Sequence, residues 1–127
     1  MTGIEVVKTS ELANGDSTDG ITRMKAFDRE RVIVSQSRIA PKVVSGWHHH
    51  GTRELYGFLV SGHLQLEYSQ DGPKVADVQP GDFFHIPVGL VHRDVNPDNS
   101  REAIVSTILL GTGPAVVNMD PQRRETR

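Results

Sequence analysis

The chain has 127 residues with 14 Lys plus Arg against 16 Asp plus Glu, a formal charge of −2, so it is sized for one hydrophobic core and carries no charge block suited to nucleic acid or a membrane surface. It contains no cysteine, which excludes disulfides, thiolate ligands and a cysteine nucleophile and leaves imidazole and carboxylate as the good ligands for a transition metal. No charged start is followed by an apolar run, and no stretch approaches the roughly 18 apolar residues of a bilayer span, so the expected compartment is the cytoplasm.

Residues 10–20, SELANGDSTDG, are polar and turn-rich, and residues 1–22 are expected to form an arm or edge segment. Beyond them, short β-branched runs are punctuated by 12 Gly and 7 Pro spread along the chain, and helical periodicity is nearly absent. The pattern predicts strands at 32–39, 43–45, 54–60, 63–68, 74–78, 82–86, 91–95, 102–110 and 115–119. Turns are expected at Ser61-Gly62, Asp71-Gly72-Pro73, Pro80-Gly81 and the polar loop Asn96-Pro97-Asp98-Asn99. Such spacing fits an all-β antiparallel barrel or sandwich over 23–120, followed by a solvated tail at 121–127 that carries Arg123, Arg124 and Arg127.

In the strand 32–39, Gln36 and Arg38 alternate with Ser35 and Ser37, and they are candidates to bind substrate oxygens, Arg38 especially for a carboxylate. The next informative stretch is Trp47-His48-His49-His50-Gly51-Thr52-Arg53-Glu54. Strand side chains alternate faces, so His48 and His50 project to one side and His49 to the other. Gly51-Thr52 permits a turn that brings Glu54 toward the pair as a hard anionic ligand. Tyr56 shares the face of Glu54 and is a candidate acid, base or hydrogen-bond donor. His85 ends a strand beside Pro87 and is a candidate proton relay, whereas His49 and His63 read as surface or packed histidines. Pro87-Val88-Gly89-Leu90-Val91-His92 then presents a histidine after a tight turn, and His92 completes the candidate ligand set.

These residues resemble the cupin family. Its second signature reads G, five residues, P-x-G, two residues, H, three residues, N, and Gly81, Pro87, Gly89, His92 and Asn96 match every position. Its first reads G, five residues, H-x-H, three or four residues, E, six residues, G, and His48, His50 and Glu54 match it. Lys42 stands at the leading glycine, and seven residues instead of six separate Glu54 from Gly62, which predicts a bulge able to re-aim Glu54. The resemblance implies a single jelly-roll cupin β-barrel that binds one divalent transition metal ion (Fe, Mn, Ni, Zn or Cu) through His48, His50, Glu54 and His92.

Three histidines and a carboxylate around an octahedral ion leave two adjacent positions for a chelating substrate, or for substrate plus dioxygen. A carboxylate-ligated divalent ion favours an anionic or enolisable partner such as a 2-oxo acid, a diketone or a phenol. The expectation is therefore a metal-dependent enzyme on a small oxygenated molecule, with dioxygenase chemistry leading because it is frequent among small cupins resembling this chain. An isomerase, lyase or decarboxylase and a non-catalytic binding or sensor module are the alternatives. The expected assembly is a homodimer, with the segment after Thr22 or the run 115–119 as exposed edges to be covered.

Overall fold

A computed structural model describes residues 3–69 and 73–119. After a single 3-10 turn at Thr9–Glu11, the described chain is built of short strands, all paired antiparallel. In chain order they are β1 (Ala13–Asn14), β2 (Thr22–Asp28), β3 (Val32–Ile39), β4 (His48–His49), β5 (Glu54–Ser61), β6 (Leu64–Tyr68), β7 (Lys74–Val78), β8 (Phe83–Ile86), β9 (His92–Val95), β10 (Ala103–Leu110) and β11 (Val117–Asn118). They form a sheet of order β1-β2-β3-β10-β5-β8 and a second of order β11-β4-β9-β6-β7. The hydrogen bonding does not run continuously around a ring, so the expected barrel is realised as two facing sheets of jelly-roll type.

The long strands owe their place to strict alternation. In β3 the buried positions are Ile33, Ser35, Ser37 and Ile39, and in β10 they are Ala103, Val105, Thr107 and Leu109. Apolar side chains at these positions meet Leu55 and Leu59 of β5, Leu64 and Leu66 of β6, Val78 of β7 and Ile86 of β8 in one core. Ile39, Leu59 and Leu64 are wholly buried. The serines and Thr107 interrupt this apolar lining midway along the strands, and there the space between the sheets opens into a cavity.

Two features differ from the expectation. A strand not among those expected, β2, pairs with β3, and within residues 1–22 the short β1 pairs with β2 as the edge of the sheet while Ile21 is buried. The edge after Thr22 is consequently covered by β1, while β11 is the last strand of its own sheet. The run 43–45 contributes only one isolated bridge, Val44 to Val95. The Asp71-Gly72-Pro73 turn lies, apart from Pro73, outside the described residues, as does the tail 121–127.

A bulge does precede Gly62, as a register shift opposite Ile104 and Val105 of β10, but it does not re-aim Glu54 as expected. This bulge lies near the far end of β5, beyond Leu59, and leaves the alternation from Leu55 to Leu59 intact. Lys42, at the position of the family's leading glycine, has φ +67°, the left-handed conformation that explains why glycine suits that turn.

Candidate metal centre

His48 and His92 face each other as partners across β4 and β9, and alternation puts His50 on the same side as His48. The turns that carry them are tied together, since the Gly89 N–H donates to the Gly51 carbonyl at 2.9 Å. Gly51 and Gly89 both have positive φ, so these tight turns suit glycine. All three imidazoles are buried, and one ring nitrogen from each lies within 4.8 Å of the others.

The hydrogen bonds fix the tautomers. Nδ1 of His48 meets the Gly46 carbonyl, Nδ1 of His50 the Ala115 carbonyl and Nδ1 of His92 the Leu90 carbonyl, each at 2.9 Å. A carbonyl only accepts, so each Nδ1 carries the proton and each neutral ring keeps its lone pair on Nε2. Burial, reinforced by the neighbouring His92, pushes His48 and His50 down to about 3, and burial likewise lowers His92. Three neutral, oriented imidazoles directed to a common point are a ligand set that suits a divalent transition ion.

Glu54 does not join them. It starts β5 on the outer face with Tyr56, and its carboxylate is hydrogen-bonded to Nε2 of His85. Tyr56 stacks on the same His85 ring with centroids 4.8 Å apart. The three form an outward cluster on the side of the sheet away from the imidazoles, although His85 also borders a second recess that reaches His92. The side chain that enters the imidazole cavity is Leu55, buried one residue later. With four residues between it and His50, the first signature's carboxylate position falls on Leu55, and six residues then separate it from Gly62. A one-residue step reverses the face of a strand side chain, which is why Glu54 points out.

Gln36 and Arg38 are also on the outer face. Arg38 pairs with Glu102 at 2.6 Å and donates to Gln36 at 3.2 Å, while the inward positions of β3 are Ser35 and Ser37. The basic side chains that line the cavity are Arg23 and Lys25 of β2, which the sequence reading did not single out. Arg23 donates to Thr18 Oγ1 at 2.7 Å and to the Asp16 carbonyl at 3.3 Å. Lys25 is held at the rim by Asp28 at 2.9 Å. Asp94 lies two residues after His92 on the same face of β9, and its Oδ1 is 3.6 Å from Nε2 of His48 and 3.8 Å from Nε2 of His92. The cavity enclosed by these groups measures about 190 Å³, and its wall is completed by Ser35, Ser37 and Thr107 and by apolar side chains including Phe84, Ile86 and Leu109.

Asn96 closes the second signature from inside the core. Wholly buried, it donates from Nδ2 to the carbonyls of Ile39 at 3.0 Å and Arg101 at 2.8 Å, and its Oδ1 accepts from the Asp98 N–H at 3.0 Å. It therefore anchors the loop that follows the His92 strand.

The family model of the cupin domain matches residues 35–109, well over half of the chain and the whole span of the imidazole cluster. The chain belongs to the cupin family. No curated protein matches this cupin in sequence. Among solved structures it is similar to the polyketide cyclase RemF from Streptomyces resistomycificus, with 18% identity, a TM-score of 0.75 and coverage of 97% of this chain and 92% of that one. A cupin domain from Bordetella pertussis Tohama I shares 26% identity at a TM-score of 0.62, over 77% of this chain and all of that one. Oxalate oxidase in complex with the substrate analogue glycolate shares 20% identity at a TM-score of 0.69; 91% of this cupin is covered, but only 63% of that chain. These likenesses establish the double-sheet cupin fold, which hosts many chemistries.

Proposed function

We propose that this cupin is a metal-dependent enzyme acting on a small oxygenated molecule that is anionic or enolisable, with dioxygenase-type chemistry. The reading rests on one observation, the convergence of three buried Nε2 lone pairs whose orientation is locked by three Nδ1–H bonds to backbone carbonyls. His48, His50 and His92 would hold one Fe, Mn, Ni, Zn or Cu ion, and that ion would supply Lewis acidity and a template for a chelating substrate.

The remaining work falls to the chain's own side chains. Arg23 faces the cavity close enough to all three imidazoles to influence their protonation, and its guanidinium bonds only Thr18 and the Asp16 carbonyl among the described residues. Its other N–H groups suit a substrate carboxylate or enolate. Ser35, Ser37 and Thr107 offer hydroxyls to substrate oxygens from the cavity wall. Leu55, Phe84, Ile86 and Leu109 exclude water, which strengthens each of these polar contacts. At about 190 Å³ the cavity suits a compact substrate better than a drug-sized one.

The test begins with metal analysis of protein purified without a histidine tag. One divalent ion per chain is expected, with loss of that ion in His92→Ala. Oxygen uptake is then followed with 2-oxo acids, β-diketones and phenols. Uptake coupled to substrate loss supports the oxygenase; turnover without uptake moves the protein to the metal-dependent isomerases or lyases, and a folded wild-type protein that takes up no metal sinks the reading altogether.

We also propose a homodimer, formed through the outer face of the larger sheet, where Phe83, Tyr56, Val60 and Ile108 are exposed.

A further inference from the structure

We propose that Asp94, and not Glu54, supplies the carboxylate ligand of the metal centre. The inference rests on the metal-binding reading above and deepens it.

Oδ1 of Asp94 is buried and has no hydrogen-bond partner among the described residues. A buried carboxylate oxygen without a donor or a cation is costly. Its nearest polar neighbours cannot donate to it. Each of the three imidazoles has its proton on Nδ1, bonded to a backbone carbonyl, so Nε2 of His48 and His92 present lone pairs to Oδ1 at 3.6 and 3.8 Å. Lone pairs gathered in this way repel one another, and a cation seated among them converts the repulsion into coordination.

The spacing suits that role. At metal–ligand distances of about 2.1 Å, neighbouring ligand atoms lie about 3 to 3.4 Å apart. The separations of 3.6 and 3.8 Å from His48 and His92 exceed this by a few tenths of an ångström, and because the ligand atoms within 4.8 Å of one another are the three imidazole nitrogens without Asp94, its carboxylate must also swing toward His50 as an ion arrives.

No hydrogen bond reaches Oδ1 of Asp94 among the described residues. Arg23 is near enough for a charge interaction with Asp94 but gives its hydrogen bonds to Thr18 and the Asp16 carbonyl, which leaves the carboxylate oxygen free to bind an ion. The bonds between Asp94 and Ser45 run through the Asp94 backbone and not through its carboxylate. The family's usual carboxylate position is occupied by Leu55, which faces the cavity with no ligand atom, so an oxygen ligand from the chain would have to come from another strand. Asp94 is the carboxylate on the same strand as His92, two residues on and on the same face.

Cobalt(II) binding to the full-length wild-type protein, followed by chelator competition and by the visible d–d spectrum, tests this directly. Asp94→Ala and the nearly isosteric Asp94→Asn should each weaken cobalt binding at least about tenfold and change the spectrum. Glu54→Gln should match wild type in both, and circular dichroism establishes that each variant is folded. Wild-type affinity and spectrum in folded Asp94→Ala or Asp94→Asn would overturn the assignment, as would a loss of affinity in Glu54→Gln. If wild-type protein binds cobalt and His92→Ala does not, unchanged cobalt binding in the Asp94 variants refutes this inference alone; if folded wild-type protein binds none, it falls together with the metal reading.

Discussion

His48, His50 and His92 are kept neutral by burial, and that choice of protonation state has a cost in acid. In the unfolded chain the same imidazoles take up protons near the ordinary histidine value of about 6.5. In the folded protein His48 and His50 do so only at about 3, because burial and the neighbouring His92 disfavour the charged form. The folded-state values are depressed, so the unfolded state binds more protons below about 6.5 and folding stability falls as the pH drops through that window toward about 3. Each imidazole contributes a slope of about 1.4 kcal/mol per pH unit between its two values. Urea denaturation in the presence of a chelator should therefore show a falling midpoint between pH 7 and pH 5, above the range where the carboxylates titrate. A midpoint that stays level over that interval would show that the rings are not buried as neutral imidazoles.

At the scale of strands and turns, Gly62 joins β5 to β6 with φ +88°, and a Cβ added there would lie 2.4 Å from the Glu102 carbonyl oxygen and 2.8 Å from Ala103 Cα. Both contacts are backbone, so neither can swing aside. Gly62→Ala should lose at least about 2 kcal/mol, read as a lower denaturation midpoint, because left-handed strain and the clash add; an unchanged midpoint would mean that the turn had been misplaced. Gly62 was legible in the sequence for the same reason, since turn chemistry and the family signature both need that residue. The imidazole trio was legible as well: alternation alone puts His48 and His50 on one face, and the Pro87-Gly89 turn fixes the approach of His92. The carboxylate was not legible, because the allowed spacings of three or four residues land on Glu54 and Leu55, and only the parity of β5 chooses between them. β2 was missed for another physical reason. Its sequence, TRMKAFD, lacks a β-branched alternation because its inward positions, Arg23 and Lys25, face the cavity and not the core. The residues that make a strand useful to a substrate thus erase the pattern by which strands are recognised. Asp94 went unnoticed in the same way, lying in the interval between His92 and Asn96 that the signature leaves open.

For the molecule as a whole, the two faces of the larger sheet have separate tasks. Its inner face lines the core and the cavity, while its outer face carries apolar side chains in register across three strands. Phe58 is paired with Phe83 across β5 and β8, their rings 4.8 Å apart, and Tyr56 is paired with Ile108 across β5 and β10. Phe83 is 81% exposed, and Tyr56, Val60, Ile108 and Leu110 are each more than 40% exposed. Scattered single exposures need no explanation, but aromatic and branched residues on neighbouring strands of one face form a patch of the kind that subunits cover. A two-fold dimer uses the same patch twice, so one substitution acts on both subunits. Light scattering should give twice the 14.0 kDa chain mass for the wild-type protein and the single-chain mass for Phe83→Glu, with the circular dichroism spectrum unchanged. The phenylalanine lies outside the core and the cavity, so the charge it is replaced by acts on association and not on folding. A monomeric wild-type protein, or a Phe83→Glu protein that keeps the doubled mass, would remove this face from consideration.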